Sequence, residues 1–238
     1  MSTDWRKIQT WAGVPADGIP GPQTARALVA KLGLGFDREA FLARHVNKQS
    51  PAITASDIAM AATRLGVSAK HIEMIRAVES SGQSFDNAGR PIILFEPHIF
   101  HRRTNGSAGV TSFSYPSWGQ KPYPKSYDAR WSQMADAAAH DEEAALESAS
   151  WGLFQIMGFH WQALGYQSAR DFAGRMVASE AEHLEAVVRF IEVNGLAPAL
   201  RACRANDPDS CRTFAKAYNG SGYEKNSYHV KMAKALAS

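Results

Sequence analysis

The stretch "HIEMIRAVESSG", residues 71–82, decides how the chain is read. Ile72, Ile75 and Val78 recur at helical spacing, which predicts a helix with one face against a core, and Ser80-Ser81-Gly82 predicts its stop. Glu79 therefore falls in the last turn. The C-terminal end of a helix carries partial negative charge, and partial burial disfavours an anion, so both effects raise the pKa of a carboxyl there. A shift of two units corresponds to roughly 2.7 kcal/mol and leaves a fair fraction of the acid protonated near neutral pH. Such a group, held at the edge of a cleft, is suited to protonate a glycosidic oxygen. The plainer reading of the same pattern is a solvated glutamate at a helix end.

Two further motifs bear on that choice: "SASWGLFQIMG", residues 148–158, and "AKAYNGSGY", residues 215–223. Taken in order, Glu79-Ser80, Gly152-Leu153-Phe154-Gln155-Ile156 and Ala217-Tyr218-Asn219-Gly220 resemble the lysozyme-like superfamily, in particular lytic transglycosylases and goose-type lysozymes. From about residue 54 to 238 the chain resembles the N-acetylmuramidase domain of phage endolysins, through "VESSG", "GRPIILFEPHIFHR", "SWGLFQIMG" and "FAKAYNGSGY".

The resemblance implies cleavage of the β-1,4 bond between N-acetylmuramic acid and N-acetylglucosamine in peptidoglycan, with Glu79 as the acid. The residue types fit those roles. Gln155 and Asn219 are uncharged donors and acceptors suited to sugar hydroxyls and acetamido groups. Tyr218 is expected near Glu79, and Ser80 and His98 beside the substrate. Trp151 is expected to line the cleft with a flat apolar face, and Tyr115, Trp118 and Tyr123 are further candidates for that role. Glu96, in "LFEPHIF", is the candidate second carboxylate, either as base or electrostatic partner, or as a group that only holds His98 or Arg102; Asp86 is another candidate. An inverting enzyme needs about 6.5–9.5 Å between its carboxyls, a retaining one about 5–5.5 Å. A lytic transglycosylase needs no second carboxylate, because the 6-hydroxyl of the substrate attacks. That enzyme, and a non-catalytic wall-binding protein in which Glu79 only ends a helix, are the alternatives.

Residues 4–33 read as a separate small unit. Trp5, Ile8, Gln9 and Trp11 lie at helical spacing, "PADGIPGPQT" is turn chemistry, and Thr24–Leu32 reads as a second helix. "DGIPGPQT" resembles the D-G-x-x-G-x-x-T signature of peptidoglycan-binding domains, which implies wall-binding roles for Asp17, Gly18, Gly21 and Thr24; Pro20 stands where an aromatic is common. Thr24 is also expected to cap the helix it opens. A helix over about 37–46 follows. The polar stretch "NKQSPAIT", residues 47–54, is the expected boundary, giving a module of 1–50 and a domain of 51–238.

The fold class expected is mainly α: an α+β lysozyme-like domain with a small β element, preceded by a small all-α module. Thr54 and Asp57 suggest a capping box, Ser68 a cap for the Glu79 helix, and "GRPIILFEPH" a strand. Residues 104–126 form a long loop rich in Gly, Ser, Pro and aromatics. Helices are expected over about 127–139, 141–149, 151–164, 168–173, 179–194, 196–202, 208–218 and 226–237.

Composition narrows the partners. A net charge of +3 with no long basic run gives no reason to invoke nucleic acid. Residues 132–150 hold five acids and no Lys or Arg, whereas the chain from Arg201 onward holds seven bases against three acids. No run approaches the ~18 apolar residues of a membrane span, and the N-terminus has no apolar core of a signal peptide. The expectation is synthesis in the host cytoplasm and action on the wall once the membrane is breached. Cys203 and Cys211 leave both a short bridge and two free thiols open. His98-x-x-His101 lacks further ligands at recognisable spacing, so no metal and no cofactor is expected. The partner expected is the glycan strand, and the protein is expected to be a monomer.

Overall fold

The computed structural model describes residues 4–32, 35–79 and 83–238, with only the backbone described for Pro22, Arg26, Ala30 and Glu79. The helices in chain order are α1 (Trp5–Ala12), α2 (Pro22–Lys31), α3 (Arg38–Ala43), α4 (Ala55–Leu65), α5 (Ala69–Glu79), α6 (Pro97–Arg103), α7 (Tyr127–His140), α8 (Glu142–Glu147), α9 (Ala169–Ala178), α10 (Glu180–Val193), α11 (Ala197–Ala202), α12 (Pro208–Asn219) and α13 (Tyr228–Ala237). The strands are β1 (Ile93–Phe95), β2 (Ala149–Trp151) and β3 (Ile156–Met157). The fold is mainly α with a small sheet, as the sequence leads one to expect.

The chain divides into two compact units, Met1–Phe41 and Leu42–Ser238. Residues 42–50 pack with the larger unit, so the division lies earlier than the polar stretch at 47–54. Arg44 pairs with Glu142 at 2.7 Å, and the His45 ring lies 5.1 Å from Trp131 and 5.9 Å from Trp151. The Asn47 amide donates to the carbonyls of Val177 (3.2 Å) and Ala178 (2.9 Å), and its backbone N–H to Gly89 O (2.7 Å). A polar stretch thus looks like a linker in sequence but is fastened to the body by hydrogen bonds.

In the larger unit, α4 begins with the capping box. Thr54 accepts from the Asp57 N–H, Asp57 accepts from the Thr54 N–H, and Gly66 ends the helix at φ +64°. α5 follows and packs on α4 and α13, with Ile72, Met74 and Ile75 buried. Ser68 does not place its hydroxyl on a backbone N–H; the oxygen lies 2.8 Å from His71 Nδ1.

The sheet is antiparallel in the order β1-β2-β3. Its register pairs Ile93 with Trp151, Leu94 with Ser150, and Phe95 with Ala149, then Ser150 with Met157 and Trp151 with Ile156. Directly opposed residues share a face, so Ile93, Phe95, Trp151 and Ile156 point one way, and Leu94, Ser150 and Met157 the other. The first set joins Trp131, Met134, Phe100 and Phe172 in the core. Trp151 lies edge-to-face against Trp131 (5.9 Å) and Phe172 (6.4 Å).

The helix expected over 151–164 is not formed. Gly152 at φ +64° and Gln155 at φ +50° turn the chain back on itself, and the segment becomes a hairpin followed by a short 3-10 turn at Gly158–His160. The register of Ser150 and Trp151 against Ile156 and Met157 wins over the apolar run, which a buried helix and a buried strand share.

Candidate active site

The floor of the site is the β2–β3 turn. Gly152 is required there on two grounds. Its φ is +64°, and a Cβ would sit 2.6 Å from the His183 ring. His183 on α10 supports the turn from below: the Leu153 N–H donates to Nδ1 at 3.1 Å, leaving Nε2–H to donate to Met176 O at 2.7 Å. The ring stacks on Phe85 at 5.1 Å. Burial lowers the His183 pKa to about 4, so this imidazole is neutral with a fixed tautomer.

Gln155 is held on three sides. Its Nε2 donates to Gly152 O (2.8 Å) and Ile92 O (3.4 Å), and its Oε1 accepts from Ser150 Oγ (2.8 Å). Opposite stand Tyr218 and Asn219, the last two residues of α12. Tyr218 stacks on Phe214 (5.4 Å, 13°), meets Phe190 edge-on at 5.8 Å, and donates its hydroxyl to Phe154 O at 3.4 Å. Gln155, Met157, His160, Phe190, Tyr218 and Asn219 surround a hollow of about 160 Å³. Three of the residues expected from the sequence, Gln155, Tyr218 and Asn219, are therefore brought together across some 60 positions of chain.

Glu96 follows β1 directly, two residues beyond Leu94, and stands at the N-cap position of α6, where its side chain makes no capping hydrogen bond. Its N–H donates to Ser148 O at 2.8 Å, which anchors the backbone to the start of β2. The carboxylate is mostly buried. Tyr123 donates its hydroxyl to Oε2 at 2.6 Å, and His98 Nδ1 lies 3.3 Å from the same oxygen. Burial pushes the Glu96 pKa up, against which the Tyr123 hydrogen bond acts. Burial, together with Arg102, holds His98 below the usual imidazole range, and Tyr123 is held well above the usual phenol range by burial and by Glu96. The cluster is a carboxylate in a weakly solvated setting with one strong donor: burial raises its affinity for a proton, and the phenol hydrogen bond works against that rise.

Glu79 is the last residue of α5, the position expected, although its side chain and all of Ser80 lie outside the described residues. The chain beyond it is clamped to the floor: the Ile92 N–H donates to Ser84 O (2.8 Å), and Ile92 O accepts from the Gly152 N–H (2.8 Å). Five residues of chain span at most ~18 Å, so the end of α5 lies within that reach of Ser84, whose carbonyl is bonded to Ile92.

Trp151 does not line the cleft. It is 1% exposed on the core face of the sheet, with its indole N–H donating to Leu146 O at 3.0 Å. Alternation along β2 sends Ser150, not Trp151, to the outward face. Asp86 is occupied in its own turn, where it accepts from the N–H groups of Ala88 and Arg90 and pairs with the Arg90 guanidinium at 2.6 Å. Tyr115 is buried, whereas Trp118 is 72% exposed on the 104–126 loop. His101 Nδ1 lies 3.0 Å from Ser114 Oγ while His98 turns to Glu96, and no group of three metal-capable side chains exists among the described residues. Tyr123 as a partner of Glu96 and His183 as the prop of the floor are not legible in the sequence; a lone histidine on the buried face of α10 is the only trace of the second.

The smaller unit has its own organising residue. Gln9 is buried, and its Nε2 donates to Asp17 Oδ1 (2.7 Å), Ile19 O (3.0 Å) and Thr24 Oγ1 (3.1 Å), while Oε1 accepts from the Gly18 N–H (2.8 Å). Gly18 adopts φ +84°, and nothing lies within 4 Å of a Cβ placed on Gly21. Thr24 is the third residue of α2 and is buried, so it neither caps the helix nor faces a ligand. Asp17 is held below the usual carboxylate range by the Ile19 N–H and by Gln9. The signature residues thus build the turn, and among the described residues of the unit Trp11, Ile19, Val29 and Leu32 are the large apolar side chains that are exposed.

Comparison with known proteins adds two findings. A family model described as N-acetylmuramidase matches residues 68–238. A solved structure, the crystal structure of Burkholderia AP3 phage endolysin, is similar to this chain at 33% identity and a TM-score of 0.70; the match covers 98% of this chain and 83% of that one. Among curated proteins none matches.

Proposed function

For a chain that belongs to the N-acetylmuramidase family, and is thereby a peptidoglycan-degrading glycoside hydrolase, we propose that Glu79 is the proton donor and Glu96 the base. The substrate is the glycan strand. Glu79 protonates the oxygen linking N-acetylmuramic acid to N-acetylglucosamine, the C1–O bond breaks through an oxocarbenium-like state, and water adds to C1 as Glu96 takes its proton. Gln155, Tyr218 and Asn219 bind one sugar in the hollow, and His98 holds the Glu96 carboxylate. One observation supports the reading: Leu94, Ser150 and Met157 form an outward sheet face, with Gln155 bonded to Ser150 on it and Glu96 tied by its backbone to Ser148 just beyond its edge.

A base acting on water gives inversion at C1. The test is a mass spectrum and an anomer-resolved proton NMR spectrum of fragments freshly released from peptidoglycan. Reducing N-acetylmuramic acid ends of inverted configuration are expected, with release abolished in Glu79→Gln. Retained configuration would remove Glu96 from the role of base, and 1,6-anhydro ends would remove hydrolysis altogether.

The smaller unit is proposed to hold the enzyme on the wall, supported by its exposed Trp11, Ile19, Val29 and Leu32 and by the resemblance of residues 17–24. A chain lacking residues 1–41 should then pellet less with purified walls while still cutting soluble glycan. The wall is the place of action on this reading; among the described residues no helix is long and apolar enough to cross a membrane.

A further inference from the structure

The 104–126 loop lies outside the sheet and outside the hollow, yet it sends one polar atom to Glu96. The loop is fastened at several points before it does so. Lys121 Nζ donates to Thr111 O at 2.9 Å, the Thr111 N–H donates to Ser114 O at 2.7 Å, and Gln133 on α7 donates to Ser112 O at 2.7 Å. Tyr115 is buried beneath it. At its end, Tyr123 places its hydroxyl 2.6 Å from Glu96 Oε2, a length typical of a charge-assisted O–H···O⁻ bond.

We infer that Tyr123 is a positioning residue for the reaction: the loop uses its hydroxyl to hold Glu96 as an ionised acceptor, and so sets the pH at which the base is ready. The inference rests on Glu96 acting as the base. Among the described residues, the titratable and charged groups near this carboxylate are few. They are Tyr123 and Tyr115 from the loop, and His98 and, one turn on, Arg102 from α6. Burial and Arg102 both hold the His98 pKa down, which favours the neutral imidazole. The phenol is thus the strongest donor available, and only burial opposes it. A hydrogen bond to the charged form favours that form, so its removal raises the pKa of the carboxyl.

The experiment is a pH profile of kcat/KM on a soluble glycan oligomer for the full chain and three variants. Tyr123→Phe keeps the ring and removes the donor; the acid limb should move up by about one pH unit, the size expected for losing one hydrogen bond to a charged group. Incorporation of 3-fluorotyrosine at position 123 makes a stronger donor and should move the limb down, a reversal that damage to the fold does not produce and that is available even if Tyr123→Phe is unstable. Glu96→Gln tests the underlying reading: wild-type kcat/KM in that variant removes Glu96 from catalysis, whatever Tyr123 does. If Glu96→Gln is inactive but the limb stays fixed in both Tyr123 variants, or activity falls equally at every pH, the inference about Tyr123 is wrong while the base reading stands. Titration of the Glu96 carboxyl carbon by NMR in wild type and Tyr123→Phe gives the same answer without activity: an unchanged midpoint overturns the inference.

Discussion

Acidifying the protein from pH 7 to pH 4 should loosen it through one buried imidazole. His183 is 1% exposed, its Nδ1 accepts the Leu153 N–H, and its folded pKa lies at about 4 against an ordinary 6.5. The folded state binds this proton poorly and the unfolded state binds it readily. Its contribution to stability is therefore fully present above pH 6.5, declines as the pH falls below that value, and is lost by about pH 4. The gap of about two and a half units is worth roughly 3 kcal/mol, a large part of the stability of an ordinary domain. The local reason is specific: protonation turns Nδ1 from acceptor into donor, facing the Leu153 N–H directly under the Gly152–Gln155 turn. Denaturant midpoints of the wild type and His183→Gln, taken at pH 7, 5.5 and 4, measure this. The variant should be weaker at pH 7 by about 1–3 kcal/mol, for the lost packing on Phe85 and the altered hydrogen bonds, and its midpoint should depend less on pH. Equal pH slopes in the two proteins would refute the reasoning, because the proton uptake would then belong to other groups.

Three further outcomes follow from the same geometry. Gly152→Ala should destabilise by about 2 kcal/mol or more and lower kcat/KM, since its Cβ meets the His183 ring at 2.6 Å and its φ is +64°; thermal melts and glycan assays check both effects. Trp151→Phe should cost about 1–3 kcal/mol of stability yet leave KM for soluble glycan near the wild-type value, because the indole is in the core; a large rise in KM with unchanged stability would return Trp151 to the cleft. Gln9→Ala removes the four hydrogen bonds of the amide and leaves the buried Thr24 hydroxyl without this partner, at about 1–3 kcal/mol for that group, so residues 4–32 should lose amide hydrogen-exchange protection while residues 42–238 keep theirs.

How much of this the residues disclose depends on the range of the interaction. The helix ending at Glu79 is legible because Ile72, Ile75 and Val78 repeat with the helical period, and the α4 start is legible because Thr54 and Asp57 satisfy each other three residues apart. The strand at 93–95 and the gathering of Gln155, Tyr218 and Asn219 follow from local pattern and from motif order. The hairpin at 149–157 is not legible in that way, because its short apolar run fits both helix and strand, and the decision is made by pairing with Ile93–Phe95 some 55 residues earlier. The side to which Trp151 points depends on that same register, so local sequence leaves its place, core or cleft, open as well. Thr24 misleads for a related reason: its hydroxyl has a partner fifteen positions back, in Gln9, rather than the helix it stands in. The Tyr123–Glu96 bond spans 27 positions and leaves no trace in local sequence.

The amide of Gln9 has a consequence for how such proteins diversify. It ties Asp17, Gly18, Ile19 and Thr24 into one frame through hydrogen bonds, while Trp11, Ile19, Val29 and Leu32 direct their apolar side chains outward. The frame does not depend on which side chains those outward positions carry. Those positions can therefore be substituted with the architecture of the unit intact, so that, on the wall-binding role proposed above, its specificity and its stability are separable.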